Sequence, residues 1–184
     1  MKSLIALFVL TLGVAFGTTV VSAQDNPMVG GAAMYKTKNI VENAVNSKDH
    51  TTLVAAVKAA GLVDTLASAG PFTVFAPVNS AFEKLPAGTV ETLLKPENKG
   101  TLTKILTYHV IAGNFSAKDV IGAIKKGNGT AEFTTVAGGK LKAMLVGKSV
   151  VLMDEKGGKS TVTIADVKQS NGVIHVVDSV LLPN

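Results

Sequence analysis

An α+β fold is the expectation for this 184-residue sequence, and two observations carry it. Apolar residues recur at helical spacing through the first two thirds of the chain, and from Ala131 onward they alternate with polar ones at the two-residue period of strands. Helices gathered in one part and strands in another argue for segregated layers. A phosphate-binding βαβ unit has no place in this pattern, because the glycine-rich stretches Gly127-Asn128-Gly129, Gly138-Gly139 and Gly157-Gly158 lie between strand-like runs and read as hairpin turns.

Taken in order, residues 1–23 read as a secretory signal peptide: Lys2 supplies a cationic start, Leu4 to Val21 is uncharged and apolar, and Ser22-Ala23 are small, so cleavage is expected before Gln24. The rival reading is an uncleaved membrane anchor, since the apolar run falls just short of the roughly 20 residues that span a bilayer. The small residues favour cleavage. Residues 24–37 are small and polar, with Pro27, Gly30 and Gly31, and read as a flexible lead-in. A single domain is then expected over 38–184. Ile40, Val41, Ala44 and Val45 predict one helix, and Leu53 to Ala60 a second that starts near Asp49 as its cap and closes at Gly61. Leu62, Val63 and Leu66 predict a helical turn before Gly70-Pro71, and Phe72 to Phe75 predicts a strand that Pro77 ends. Ser80 with Glu83 fits a capping box for the next helix, with Asn79 as the other candidate cap. Short helices are expected over Thr89–Leu94, Gly100–Leu106 and from Ser116 and Asp119 to about Lys126. Strands then follow in an antiparallel meander that turns at Gly147-Lys148 and Gly157-Gly158.

The composition limits function. There is no cysteine, which removes disulfides, thiolate metal sites and cysteine nucleophiles, so stability must come from burial. The formal charge of +5 becomes +4 without Lys2, and all 18 basic residues are lysine. A nucleic-acid binder needs arginine for bidentate contacts and aromatic residues for stacking, and this chain has no arginine and no tryptophan. The dispersed lysines read first as solvated surface, with weak attraction to an anionic envelope surface as the minor alternative.

Three separated segments carry a family resemblance. They are Phe72-Thr73-Val74-Phe75-Ala76-Pro77-Val78-Asn79-Ser80-Ala81-Phe82, then Leu106-Thr107-Tyr108-His109-Val110-Ile111-Ala112-Gly113, and last Asn171-Gly172-Val173-Ile174-His175-Val176-Val177-Asp178-Ser179-Val180-Leu181-Leu182-Pro183. In this order and spacing they resemble the first conserved block, the Tyr-His motif and the second conserved block of the fasciclin (FAS1) domain. The resemblance implies a FAS1 fold, a wedge of two small β-sheets with helices packed on one side. It also implies a non-catalytic adhesion or interaction module that is secreted or periplasmic. Its partner would be a cell-envelope or extracellular-matrix macromolecule, and Tyr108, His109, Val110 and Ile111 would be the partner-binding residues. Some members carry a carotenoid or lipid, so a carrier of a small apolar ligand is the alternative. No cofactor, no metal and no nucleic acid are expected, and the protein is expected to be a monomer.

The three histidines are where any chemistry would start. His50, beside Asp49, reads as a solvated loop or cap residue. His109 and His175 each sit in an apolar, β-prone run and read as partly buried and hydrogen-bonded. A metal or acid–base site built from them with Asp166 or Asp178 lacks the ligand spacing of a zinc site, and no Gly-x-Ser-x-Gly elbow marks a serine nucleophile. Asp154-Glu155 lacks the alternating oxygens of a calcium loop. Asn114-Phe115-Ser116 and Asn128-Gly129-Thr130 match the glycosylation acceptor pattern, a short pattern that carries little weight.

Overall fold

The computed structural model describes residues 26–184, so the expected signal peptide and its cleavage point lie outside the described residues. A two-stranded hairpin comes first, β1 Met28–Val29 and β2 Ala32–Ala33, followed by helices α1 Ile40–Ala44, α2 Thr51–Ala60 and α3 Val63–Ala67. Strand β3 spans Phe72–Pro77, then come α4 Asn79–Glu83, α5 Thr89–Leu93, α6 Lys99–Tyr108, β4 Val110–Ala112 and α7 Ala117–Lys126. The meander closes the chain, with β5 Thr130–Thr134, β6 Lys140–Val146, β7 Ser149–Met153, β8 Lys159–Gln169 and β9 Gly172–Val177. The α+β segregation expected from the two periods is present.

Seven strands form one sheet in the order β4-β3-β9-β8-β7-β6-β5. All neighbours are antiparallel except β3 and β9, which run parallel from Phe72 opposite Gly172 to Pro77 opposite Val177. The expected wedge of two sheets is realised as two halves that share β8. Its first residues, Lys159 to Thr161, pair with β7, while Val162 to Gln169 pair with β9 across two register shifts. Bulges of this kind bend a strand and increase its twist. The sheet curls far enough for its ends to meet: the Val136 amide, just past β5, donates to the Val110 carbonyl of β4 at 2.8 Å, giving a barrel-like form.

Two apolar cores follow. Alternate residues of β3 and β9 serve different sides, as the pleat requires. Val74, Ala76, Ile174 and Val176 pack under the helices with Ile40, Leu53, Val57, Leu66, Leu102 and Leu106. Phe75 and Val177 point into the curled sheet with Tyr108, Ile124, Phe133, Leu141, Leu152 and Leu181. Strand β9 is buried along its whole length, as expected of a β-branched central strand covered on both faces.

Several local expectations hold and others are corrected. Gly61 ends α2 in the left-handed region at φ +72°, where a side chain would be strained, and Ser116 with Asp119 forms the capping box of α7. Asp49 does not cap α2 and Ser80 does not cap α4, since neither helix has a cap bond from a side chain at its own N-terminal flank. The stretch read as a flexible lead-in is built into the domain from Met28 on. Val29 and Met34 are buried, the Lys48 amide donates to the Gly30 carbonyl at 3.0 Å, and Asn43 brackets the backbone of Tyr35 from both sides at 3.0 and 2.8 Å. Two isolated apolar residues leave no period to read, and the Gly30-Gly31 pair that suggested flexibility is the hairpin turn.

Candidate functional site

The three segments singled out in the sequence lie side by side. The first and last form the parallel pair β3 and β9, and the Tyr-His motif runs from the end of α6 into β4 on the other edge of β3. Residues distant in sequence thus build one three-stranded centre.

Tyr108, His109, Val110 and Ile111, expected to touch a partner, are 0, 2, 5 and 4% exposed. That corrects the expectation of direct contact, because side chains with so little surface have nothing to offer a macromolecule. What they do is tie surface loops together. The Tyr108 hydroxyl donates to the Lys140 carbonyl at 2.6 Å and accepts from the Glu155 amide at 3.3 Å, joining the β5–β6 and β7–β8 turns. Burial in the barrel core pushes its phenol up to about 12. Gly139 lies against this ring: a Cβ there would sit 2.8 Å from the ring edge, so the close approach needs glycine. His109 Nδ1 faces a carbonyl, Ile105, at 2.8 Å and must carry the proton, which leaves Nε2 to accept from the Leu181 amide at 3.0 Å. Burial pulls its pKa down to about 4, against the opposing pull of the Ile105 carbonyl and the Asp154 charge. Asp154 continues the clamp, with Oδ1 accepting from the Lys156 and Gly158 amides at 3.0 and 2.7 Å and Oδ2 from the Leu182 amide at 2.9 Å. The C-terminal segment is therefore held by His109 and Asp154 together.

His175 is equally engaged. Its Nε2 donates to the Phe115 carbonyl at 2.8 Å, its Nδ1 accepts from the Asp166 amide at 3.3 Å, and its ring stacks on Phe75 with centroids 5.6 Å apart. Burial lowers its pKa, opposed by the Phe115 carbonyl and the Asp166 charge. Neither inner histidine has a free lone pair for a metal or a proton transfer. The carboxylates weighed with them are turned to backbone amides, Asp166 to Ala117 at 2.7 Å and Asp178 to Thr161 at 2.8 Å. Among the described residues, no group of three or more His, Asp or Glu side chains could hold a metal ion.

Two asparagines act at long range. Asn79 caps a helix, but it is α2: its Oδ1 accepts from the Thr52 amide at 3.0 Å and the Thr51 hydroxyl at 3.2 Å, while its Nδ2 donates to the Lys48 carbonyl at 2.8 Å. Asn171, at the head of β9, accepts from the Ile40 amide at 3.0 Å and donates to the Leu66 and Ser68 carbonyls, both at 2.8 Å. The Asn-Gly pair before a strand was the available signal for the second. Nothing local signalled the first.

Around this buried centre lie open clefts of mixed lining, one of about 280 Å3 bordered by Phe75, Val120, Val150 and His175. Two open clefts of about 400 and 380 Å3 flank Asn184, the first bordered by Thr101, Lys104 and Lys156, the second by Glu132, Lys140, Lys142 and Glu155. On the helical side, an apolar cavity of about 50 Å3 lies between α1, α2, α3 and the sheet, walled by Ile40, Leu53, Val57, Leu66, Leu106 and Ile174. No helix among the described residues is long and apolar enough to cross a membrane.

This is a fold that presents a rim of loops over a central strand trio, and among the described residues its histidines and the carboxylates weighed with them are turned to backbone groups. The model of the fasciclin domain matches residues 48–183, and the chain belongs to the fasciclin family. It is 45% identical over 186 aligned positions to the Synechocystis protein sll1483, covering 97% of this chain and 96% of that one. It is 39% identical to the immunogenic protein MPB70 of Mycobacterium bovis, over 76% of this chain and 66% of the relative. A solved FAS1 domain pair from the insect cell adhesion molecule fasciclin I superposes with a TM-score of 0.69 at 20% identity. The match covers 79% of this chain and 51% of that one, so this chain spans about half of the pair and corresponds to it in fold.

Proposed function

We propose that the protein is an exported, monomeric, non-catalytic adhesion module that binds an envelope or matrix macromolecule through the loop rim above Tyr108 to Ile111. One observation carries this reading: every hydrogen bond of the Tyr108 and His109 side chains outside their own helix ends on the backbone of a rim loop or of the C-terminal segment. The motif then acts as a positioning element, and contact falls to exposed neighbours such as Lys104, Lys140 and Lys156. The fasciclin I relative, a cell adhesion molecule, supports the class of function. Binding of the purified protein to envelope or matrix preparations, followed across salt concentration, tests it. A Lys104→Glu, Lys156→Glu double variant should bind several-fold more weakly and melt at the same temperature, since rim charges steer association and contribute little to folding. Undiminished binding by that variant would move the contact surface elsewhere, and an absence of binding by the natural protein would end the reading. The chain mass of the exported protein tests cleavage before Gln24.

The apolar cavity supports a second reading, a carrier of a small apolar ligand. Its enclosed part takes only a short stretch of a molecule, so a larger ligand must extend past the mouth or part the helices. A defined small-molecule mass retained in native mass spectrometry of the protein from its own source is the expected sign. A colourless, ligand-free preparation counts against it.

A further inference from the structure

The sheet is interrupted where its two halves part. The ladder between β7 and β8 runs from Met153 opposite Lys159 to Val151 opposite Thr161 and stops there; from Val162 on, β8 is paired with β9 alone. Ser149 and Val150 on one side and Val162 to Ala165 on the other therefore border a gap with no strand between them among the described residues, and this gap is the open cleft of about 280 Å3. Its floor is apolar, with Phe75 from β3 and Val120 from α7. The gap is braced open. Two register shifts bend β8 here, and Asp166 sits in the left-handed region at φ +59°. The Asp166 carboxylate accepts from the Ala117 amide at the start of α7 at 2.7 Å, and its own amide donates to His175 Nδ1 at 3.3 Å. Thr163 to Asp166 are all exposed, Ile164 among them. A strand edge without a partner offers its amides and carbonyls to any extended chain. Lys148 is the one charged side chain that lines the cleft, and among the described residues it has no ion pair. The carboxylates at this end of α7, Asp119 and Asp166, are turned instead to the Ser116 and Ala117 amides.

We propose that this gap docks an extended peptide segment of a partner protein, which adds as a strand to the β8 edge at Val162 to Ala165, sets an apolar side chain on Phe75 and Val120, and places an acidic one on Lys148. Main-chain hydrogen bonds supply the affinity in this mode, and alternate side chains supply the selection. A strand suits the cleft better than a small polar ligand does, because the polar side chains on its inner wall are already used. Both nitrogens of His175 are engaged, by the Phe115 carbonyl and the Asp166 amide, and the Thr163 hydroxyl donates to the Val176 carbonyl at 3.3 Å. The bulge and the charges of Lys148 and Asp166 keep the edge from joining another folded sheet, as edge strands require, and a single flexible segment is not so hindered. The site shares no lining residue with the clefts at Asn184, so it stands apart from the rim assigned to adhesion.

The test uses the full chain, labelled with nitrogen-15, and follows its backbone amides during titration with the capped peptide acetyl-Glu-Val-Thr-Val-Thr-amide. The amides of Ser149, Val150 and Val162 to Ala165 should shift saturably. Two further peptides carry N-methyl groups on alternate residues, on the valines in one and on the threonines in the other, so each has one edge blocked. One of the two should bind at least about tenfold more weakly than the parent, the factor of one or two main-chain hydrogen bonds. Lys148→Glu, in an exposed turn, should weaken the parent peptide several-fold and leave the melting temperature unchanged. Equal binding of all three peptides overturns strand addition. An absence of saturable shifts, or shifts confined to other amides, overturns the site. A concentration-dependent dimer that perturbs the same amides without peptide assigns the edge to a second copy and overturns the peptide reading as well.

Discussion

The two apolar cores are filled differently. Inside the curled sheet, Tyr108, Leu141, Ala143, Leu152, Val177 and Leu181 have no exposed surface, and the one phenol among them has both its donor and its acceptor satisfied. Under the helices, the same two central strands meet elements of five to ten residues, and an apolar cavity remains. Close packing sets a unique structure, and loose packing leaves room for a ligand or a shift of helices. The difference leads to the expectation that the sheet side is the more stable half and the helical side the freer one, even though an open cleft of about 280 Å3 borders Phe75, Val120 and Val150 on the sheet side.

The strongest way to break that contrast is to empty the sheet side. Tyr108→Ala removes a fully buried ring and two hydrogen bonds, and should cost about 4 kcal/mol in denaturant unfolding, the upper part of the range for buried aromatic truncations. Tyr108→Phe keeps the ring and strands the Lys140 carbonyl and Glu155 amide, so about 1 to 2 kcal/mol is expected. Any loss of adhesion in the first variant should track its unfolding. A Tyr108→Ala protein as stable as the natural one would refute the contrast outright.

Acid should act next. In the unfolded chain a histidine takes up its proton near 6.5, whereas His109 in the fold resists until about 4. Between those values the unfolded state binds more protons, so stability is complete above pH 6.5 and falls as pH drops toward 4. The slope is about 1.4 kcal/mol per pH unit, about 3 kcal/mol over the window. His50 and His175 are lowered by burial too and add in the same direction. Urea unfolding at stepped pH measures the slope, and His109→Gln should flatten it. A flat profile in the natural protein between pH 4 and 6.5 would mean His109 is not held neutral by burial.

Adding the same small volume on each side gives a subtler comparison. Ala143→Val on the sheet side has no space to enter and should cost about 2 kcal/mol. Val54→Ile adds a methylene at the wall of the helical cavity and should be neutral or stabilising by about 0.5 kcal/mol. It should also weaken any ligand in that cavity. Equal costs from the two changes would show that the cores are equally tight.

Much of the fold was legible because its signals are local. The helices and the meander appear as periods, and Gly61 and the Ser116–Asp119 box mark ends within a few residues of where they act. Pairings between distant residues left no such trace. The parallel match of β3 with β9 joins segments about a hundred positions apart, and family resemblance, not periodicity, brought those segments to notice. His50 was misread because Lys48 and Asp49 beside it are polar, while its burial is imposed by a hairpin twenty residues upstream. The Tyr-His motif was brought to notice by resemblance, but its near-complete burial was not legible, since an aromatic beside a histidine looks the same whether it faces a partner or a core.

Asn79 offers the smallest test and the most local one. Its carboxamide oxygen takes the first free amide of α2 from a position 27 residues further along the chain, and its amide nitrogen holds the Lys48 carbonyl. Asn79→Ala should therefore cost about 1 kcal/mol, the usual worth of a helix cap. The loss should be concentrated on the helical side. Amide exchange should quicken at Thr52 and through the first turn of α2, with little change at Tyr108, Leu141 or Val177. Asn79→Asp should retain most of the cap at Thr52, because a carboxylate oxygen also accepts there and its charge suits a helix N-terminus, while losing the bond to Lys48. Faster exchange in β6 and β9 as well would show the two cores opening together. The helical side would then be no looser than the sheet it covers.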